Sequence, residues 1–165
     1  MKLLLLENWA EREMTAYESE RGKPMPSFNH SYVQNNLLFE LNTHFRKQFT
    51  FMPELTLEMP ARPNCVPDIC VFPKMKANFL HDEITFSEKP FIAIEIVSPT
   101  QSTDEILLKF ERHFFAGIQS CWLVMPSLKA ISVYSKIGEY VFFNNDDTLV
   151  DTATGIQLNL AEIFS

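Results

Sequence analysis

The stretch KPFIAIEIVSPTQSTDEILLKFERHFFAGIQSCWLVMP, Lys89 to Pro126, sets two apolar runs on either side of a helix-forming segment. In the first run, Ile92, Ile94 and Ile96 fall on one face, and Phe91, Ala93, Glu95 and Val97 fall on the other. Both faces are apolar apart from one carboxylate, as in a strand covered on both sides. Ser102-x-x-Glu105 then reads as a capping box. Ile106, Phe110 and Phe114 form a core-facing stripe, and Gly117 suits the position just past a helix end. Cys121–Met125 is a second strand. Strand, helix, strand is a βαβ unit, whose two strands are expected to be parallel.

Outward from this unit the chain reads as α/β (α+β), a central mixed sheet flanked by helices. Leu4 to about Ser19 has a helical pattern, and RGKPMPS (Arg21–Ser27) breaks it with two prolines and a glycine. A helix then runs from about Asn29 to Lys47, capped by Ser27 or Asn29. Val33, Leu37, Leu41 and Phe45 are its buried stripe. Further strands are expected at Phe49–Phe51, Leu55–Glu58, Asp68–Phe72, Ile131–Ser135 and Tyr140–Phe143, with a hairpin turn at Gly138. Pro73–Lys89 is a long connection with room for one helical turn, and Leu158–Phe164 a short terminal helix. This divides the chain into an N-terminal extension (1–20) and one domain (21–165).

The 165 residues are 46% hydrophobic with 15 Phe, enough for one domain with its own core. The four-leucine run near the N-terminus is too short for a signal peptide, and no apolar run approaches the roughly 18–20 residues of a membrane span. A cytoplasmic protein is expected. Cys65, Cys70 and Cys121 lack the paired spacing of a disulfide framework or a structural zinc site, and read as small buried hydrophobes. The net charge of −7 opposes nucleic-acid binding, which draws on Lys and Arg at phosphates. Basic residues do cluster locally, at Arg21/Lys23, Arg46/Lys47, Lys74/Lys76 and Lys109/Arg112.

Glu95 stands near the C-terminal end of an apolar strand, where open α/β sheets place their sites. A lone buried carboxylate needs a partner, a proton, a metal or an open strand end. Asp68, in VPDICVF (Val66–Phe72), raises the same problem. Two carboxylates 4 Å apart repel by about 4 kcal/mol at an effective dielectric near 20. A divalent cation with all-oxygen ligation, Mg²⁺ or Mn²⁺, relieves that repulsion. Lys109, the only basic residue between Lys89 and Arg112, lies on the helix that leaves the Glu95 strand, and its ammonium suits a developing phosphoryl charge. The plainer readings are a turn cap for Asp68, an edge charge for Glu95, and a surface Glu105–Lys109 pair. His30 reads as a substrate contact, a helix cap or a surface residue. Glu40 and Glu54 are candidates for an added metal ligand, His44 and His81 read as surface, and Trp122 as core.

VPDICVF, IAIEIVSPTQS (Ile92–Ser102), LLKFERHFFAGIQSCWLV (Leu107–Val124) and ERGKPMPSFNHSYVQ (Glu20–Gln34) together resemble a bacterial restriction-endonuclease family (the Uma-two type) of the PD-(D/E)xK nuclease superfamily. The resemblance spans about Arg21 to Phe164. It implies a restriction-endonuclease-like core and Mg²⁺-dependent phosphodiester cleavage of DNA. Asp68 matches the Asp of PD, and Glu95 the acid of (D/E)xK. The lysine position of that motif is Val97, a departure, and Lys109 on the following helix matches the family's relocated lysine. His113 stands where relatives more often carry Tyr and is a candidate phosphate contact. The expected enzyme is an Mg²⁺- or Mn²⁺-dependent deoxyribonuclease, with a homodimer as the expected assembly. The rival readings are a catalytically silent nuclease-fold module and a phosphohydrolase with a non-DNA substrate.

Overall fold

Strand order follows from the βαβ unit. In the computed structural model, which describes Glu18 and residues 24–165, β3 (Ile92–Ile96) leads through α2 (Thr103–Phe115) into β4 (Ser120–Met125), and β3 and β4 pair in parallel. Before this unit come α1 (Phe28–Phe45), β1 (Phe49–Pro53) and β2 (Ile69–Pro73). After it come β5 (Ala130–Lys136), β6 (Glu139–Phe143), β7 (Thr148–Val150), β8 (Gln157–Asn159) and α3 (Leu160–Ile163). The sheet runs β1-β2-β3-β4-β5-β6, antiparallel except at β3–β4, so it is the mixed sheet expected. β7 and β8 form a separate two-stranded ribbon.

The two faces of β3 separate two cores. Ile92, Ile94 and Ile96 pack with Val33, Leu37 and Leu41 of α1, with Trp122, and with Leu149, Leu158 and Ile163 from the C-terminal segment. Ala93 packs on the other side with Ile106 and Phe110 of α2, Leu57, Phe72 and Leu123. Ser27 caps α1, its Oγ accepting from His30 N at 3.2 Å, and Ser102 caps α2 by accepting from Glu105 N at 3.2 Å. Gly117 follows the C-cap of α2 with φ +95°, a backbone conformation that glycine adopts without Cβ strain.

Several expectations need correction. Leu55–Glu58 is not a strand; Leu57 makes only isolated bridges to Cys65 and Phe86. Glu54 turns the chain with φ +51°, and that kink ends β1. The Pro73–Lys89 connection contains turns and bends but no helix. Leu158–Phe164 is helical only over Leu160–Ile163, because Gln157–Asn159 pairs with β7. On α2, His113 takes the third buried position and Phe114 is half-buried, since the 3.6-residue repeat carries the stripe from 106 and 110 to 113. The expected helix at Leu4–Ser19 lies outside the described residues except for Glu18, as do Arg21 and Lys23 of the connector. The three cysteines are buried thiols outside any disulfide, and Trp122 is fully buried, as expected.

Candidate functional site

The site begins where the β2–β3 ladder ends. Its last pair there is Ile69–Ile94, and one step further the same register sets Asp68 across from Glu95. Glu54 N donates to the Asp68 carbonyl at 3.2 Å, so the main chain of Asp68 faces β1 and that of Pro67 and Ile69 faces β3. Pro67 has no N–H to continue the β3 ladder. The Ile96 N–H donates to Asp68 Oδ2 at 2.7 Å. The proline therefore ends the strand, and the aspartate side chain takes up the amide beside Glu95.

Both carboxylates are buried, Asp68 at 1% and Glu95 at 2% exposure. Each is met by a histidine from a different flanking helix. His30 Nε2, on the first turn of α1, lies 3.1 Å from Asp68 Oδ1. His113 Nε2, on α2, lies 3.4 Å from Glu95 Oε1. Lys109 Nζ lies 3.8 Å from Glu95 Oε2, one turn before His113. Gln34 Nε2 donates to the Asp68 carbonyl at 2.9 Å. Behind His113, Nδ1 lies 3.9 Å from Cys65 Sγ. Burial, then the Glu95 charge, push the Cys65 thiol up to about 11.

Asp68, Glu95, Lys109, His30 and His113 are thus joined in one chain of contacts across the end of the sheet. The plainer readings of Glu95 and Lys109 do not match the geometry. Glu95 belongs to a central strand rather than an edge, and Lys109 reaches Glu95 rather than pairing on the surface with Glu105. His30 is buried, not a surface residue. Glu40 pairs with His44 at 3.2 Å, and it stands ten residues along α1 from His30, about 15 Å of helix. The backbone of Glu54 lies beside Asp68. His44 and His81 are exposed.

Sequence reasoning missed Asp151. Its buried carboxylate accepts from Ser120 Oγ at 2.5 Å, Trp122 Nε1 at 2.8 Å and Thr154 N at 3.0 Å. These bonds lock the β7–β8 connection to the start of β4, a structural role at the sheet end away from Glu95.

The fold is similar to that of a crystallised putative nuclease from Anabaena variabilis ATCC 29413, with 23% identity, a TM-score of 0.73 and 96% of each chain covered. Residues 6–161 match the Uma2 family, described as "Putative restriction endonuclease", and the chain belongs to that family. No curated protein matches the chain. Among the described residues no helix is long and apolar enough to cross a membrane.

Proposed function

We propose that this protein is a metal-dependent deoxyribonuclease in which Asp68 and Glu95 hold Mg²⁺ or Mn²⁺ and Lys109 stabilises the transition state. The observation that carries this reading is the approach of Lys109 Nζ to Glu95 Oε2, at 3.8 Å. A lysine from α2 thereby comes to the strand acid that Val97, two residues on, is unable to serve.

The donor set suits the cation. Asp68 and Glu95 offer an all-oxygen pair; among the described residues no group of three or more His, Cys, Asp and Glu side chains is arranged to hold a metal. Mg²⁺ retains several waters and is commonly held by one or two carboxylates plus substrate phosphate. Bound there, a divalent cation would polarise the phosphate and lower the pKa of a water. Asp68 is oriented by the Ile96 amide and His30, and Glu95 by His113 and Lys109. The burial of both histidines supports positioning roles for them, with Lys109, 23% exposed, as the cation that meets the phosphate. Its ammonium would stabilise the negative charge that builds on the phosphoryl oxygens.

Supercoiled plasmid incubated with Mg²⁺ or Mn²⁺ tests the reading. Wild type should nick or linearise it, and Glu95→Gln should lose that activity. Equal cleavage by both would sink the assignment. The net charge of −7 favours a second reading, a nuclease fold retained without catalysis. A wild type silent toward plasmid, linear and single-stranded DNA with either metal would favour that second reading.

A further inference from the structure

One side of the sheet ends in β6, which pairs with β5 and with no other strand among the described residues. Tyr140, Val141 and Phe142 are 57%, 58% and 50% exposed, so both faces of this strand lie open. Edge strands are ordinarily guarded by lysine, proline, a bulge or a covering element. The register shift at Tyr134/Lys136 lies at the hairpin end, and the one charge of β6, Glu139, is taken by Lys136 at 2.8 Å. Tyr140–Phe143 carries no guard. The opposite edge, β1, differs: Phe51 is buried and Pro53 ends the strand.

We propose that β6 is a homodimer interface, paired antiparallel with β6 of a second copy of this chain about a two-fold axis at Val141. The strand is self-complementary in that arrangement. Tyr140 faces the partner subunit's Phe142, and Phe142 faces the partner subunit's Tyr140, two aromatic cross-strand pairs on one face. Val141 meets its own counterpart on the other face. Glu139 and its counterpart lie at opposite ends of the pairing, so no like charges oppose each other. The contact is isologous and closes on itself. Four half-exposed side chains, Ile137 included, contribute roughly 100 Å² each per copy. With the backbone edge this is on the order of 1,000 Å² for the pair, the low end of specific interfaces, where weak and transient associations lie.

Sedimentation velocity from about 1 to about 200 µM tests this on the full chain. Wild type should pass from monomer to dimer across that range. Val141→Lys, which sets two ammonium groups at the axis, should weaken association at least tenfold, and Leu128→Lys, an exposed apolar residue between β4 and β5, should leave it unchanged. Hydrogen exchange on wild type alone keeps the test independent of any variant: β6 amides should gain protection as concentration rises. A wild type monomeric throughout would overturn the proposal and leave the edge to another partner. A dimer indifferent to Val141→Lys, or one without added protection in β6, would overturn it as well.

Discussion

Asp68 Oδ2 accepts the Ile96 amide proton at 2.7 Å, which ties the first acid of the site to the residue that follows the second. Pro67 offers no N–H to the Ile96 carbonyl, so the ladder stops there, and the Ile96 N–H is taken by the Asp68 side chain.

That bond and the His30 contact make Asp68 a stability residue as well as a candidate ligand. Asp68→Ala leaves the Ile96 N–H and His30 Nε2 without their acceptor, at a cost of about 2–4 kcal/mol. Asp68→Asn keeps a carbonyl oxygen and should lose less than half of that. Urea denaturation measures both; equal stability of Ala, Asn and wild type would contradict the hydrogen-bonding account.

Lys109 should behave in the opposite way. Its pair with Glu95 is long and its ammonium partly solvated, so Lys109→Ala should change stability by no more than about 1 kcal/mol. Its effect on DNA cleavage should be large, about 100- to 1,000-fold in rate. A plasmid-nicking time course beside a thermal melt separates the two quantities. Retained cleavage would remove Lys109 from the chemistry.

Cys65 reports on the same region through pH. Burial first, and the Glu95 charge second, raise its thiol from 9.0 to about 11. A folded value above the unfolded one means that the native state holds the proton more tightly. The stabilisation is complete below about pH 9 and is lost as pH climbs towards 11. Cys65→Ala should therefore flatten the fall in stability between those values. Cys121 shifts upward for the same first cause and leaves a residual slope. Native protein at pH 8 should react slowly with a thiol reagent at Cys65, and labelling at the unfolded rate would contradict the burial.

At the far end of the sheet, Asp151→Ala deprives Ser120, Trp122 and Thr154 of their common acceptor. A loss of about 2–4 kcal/mol is expected in chemical denaturation, with the folded protein's cleavage rate unchanged. A fall in cleavage per folded molecule would mean that the two ends of the sheet are coupled.

The βαβ unit was legible because two short apolar runs flank a segment that opens on a capping-box sequence and carries the 3.6-residue repeat of α2. Glu95 was legible because it alone interrupts an apolar strand. Asp68 needed more, since only pairing with β3 gives it a neighbour. The burial of His30 was available in principle: it stands three residues before Val33, in phase with the stripe of α1. A polar residue at a helix start reads more readily as a cap, and that hid it. β7 and β8 are three residues each, too short for alternation to register, and Asp151 at their connection looks like any loop acid. Leu55–Glu58 misled because its alternation is strand-like, while the positive φ of Glu54 depends on tertiary context.

The central claim is that Asp68 and Glu95 share one divalent cation. Titration of Mn²⁺ followed by the electron paramagnetic resonance signal of the free ion tests it without reliance on cleavage. Wild type should take up one Mn²⁺ per chain, displaceable by Mg²⁺, and Glu95→Gln and Asp68→Asn, each verified as folded, should bind at least tenfold more weakly. Mn²⁺ uptake that is absent in wild type, or undiminished in the Asp68→Asn, Glu95→Gln double variant, would contradict the claim.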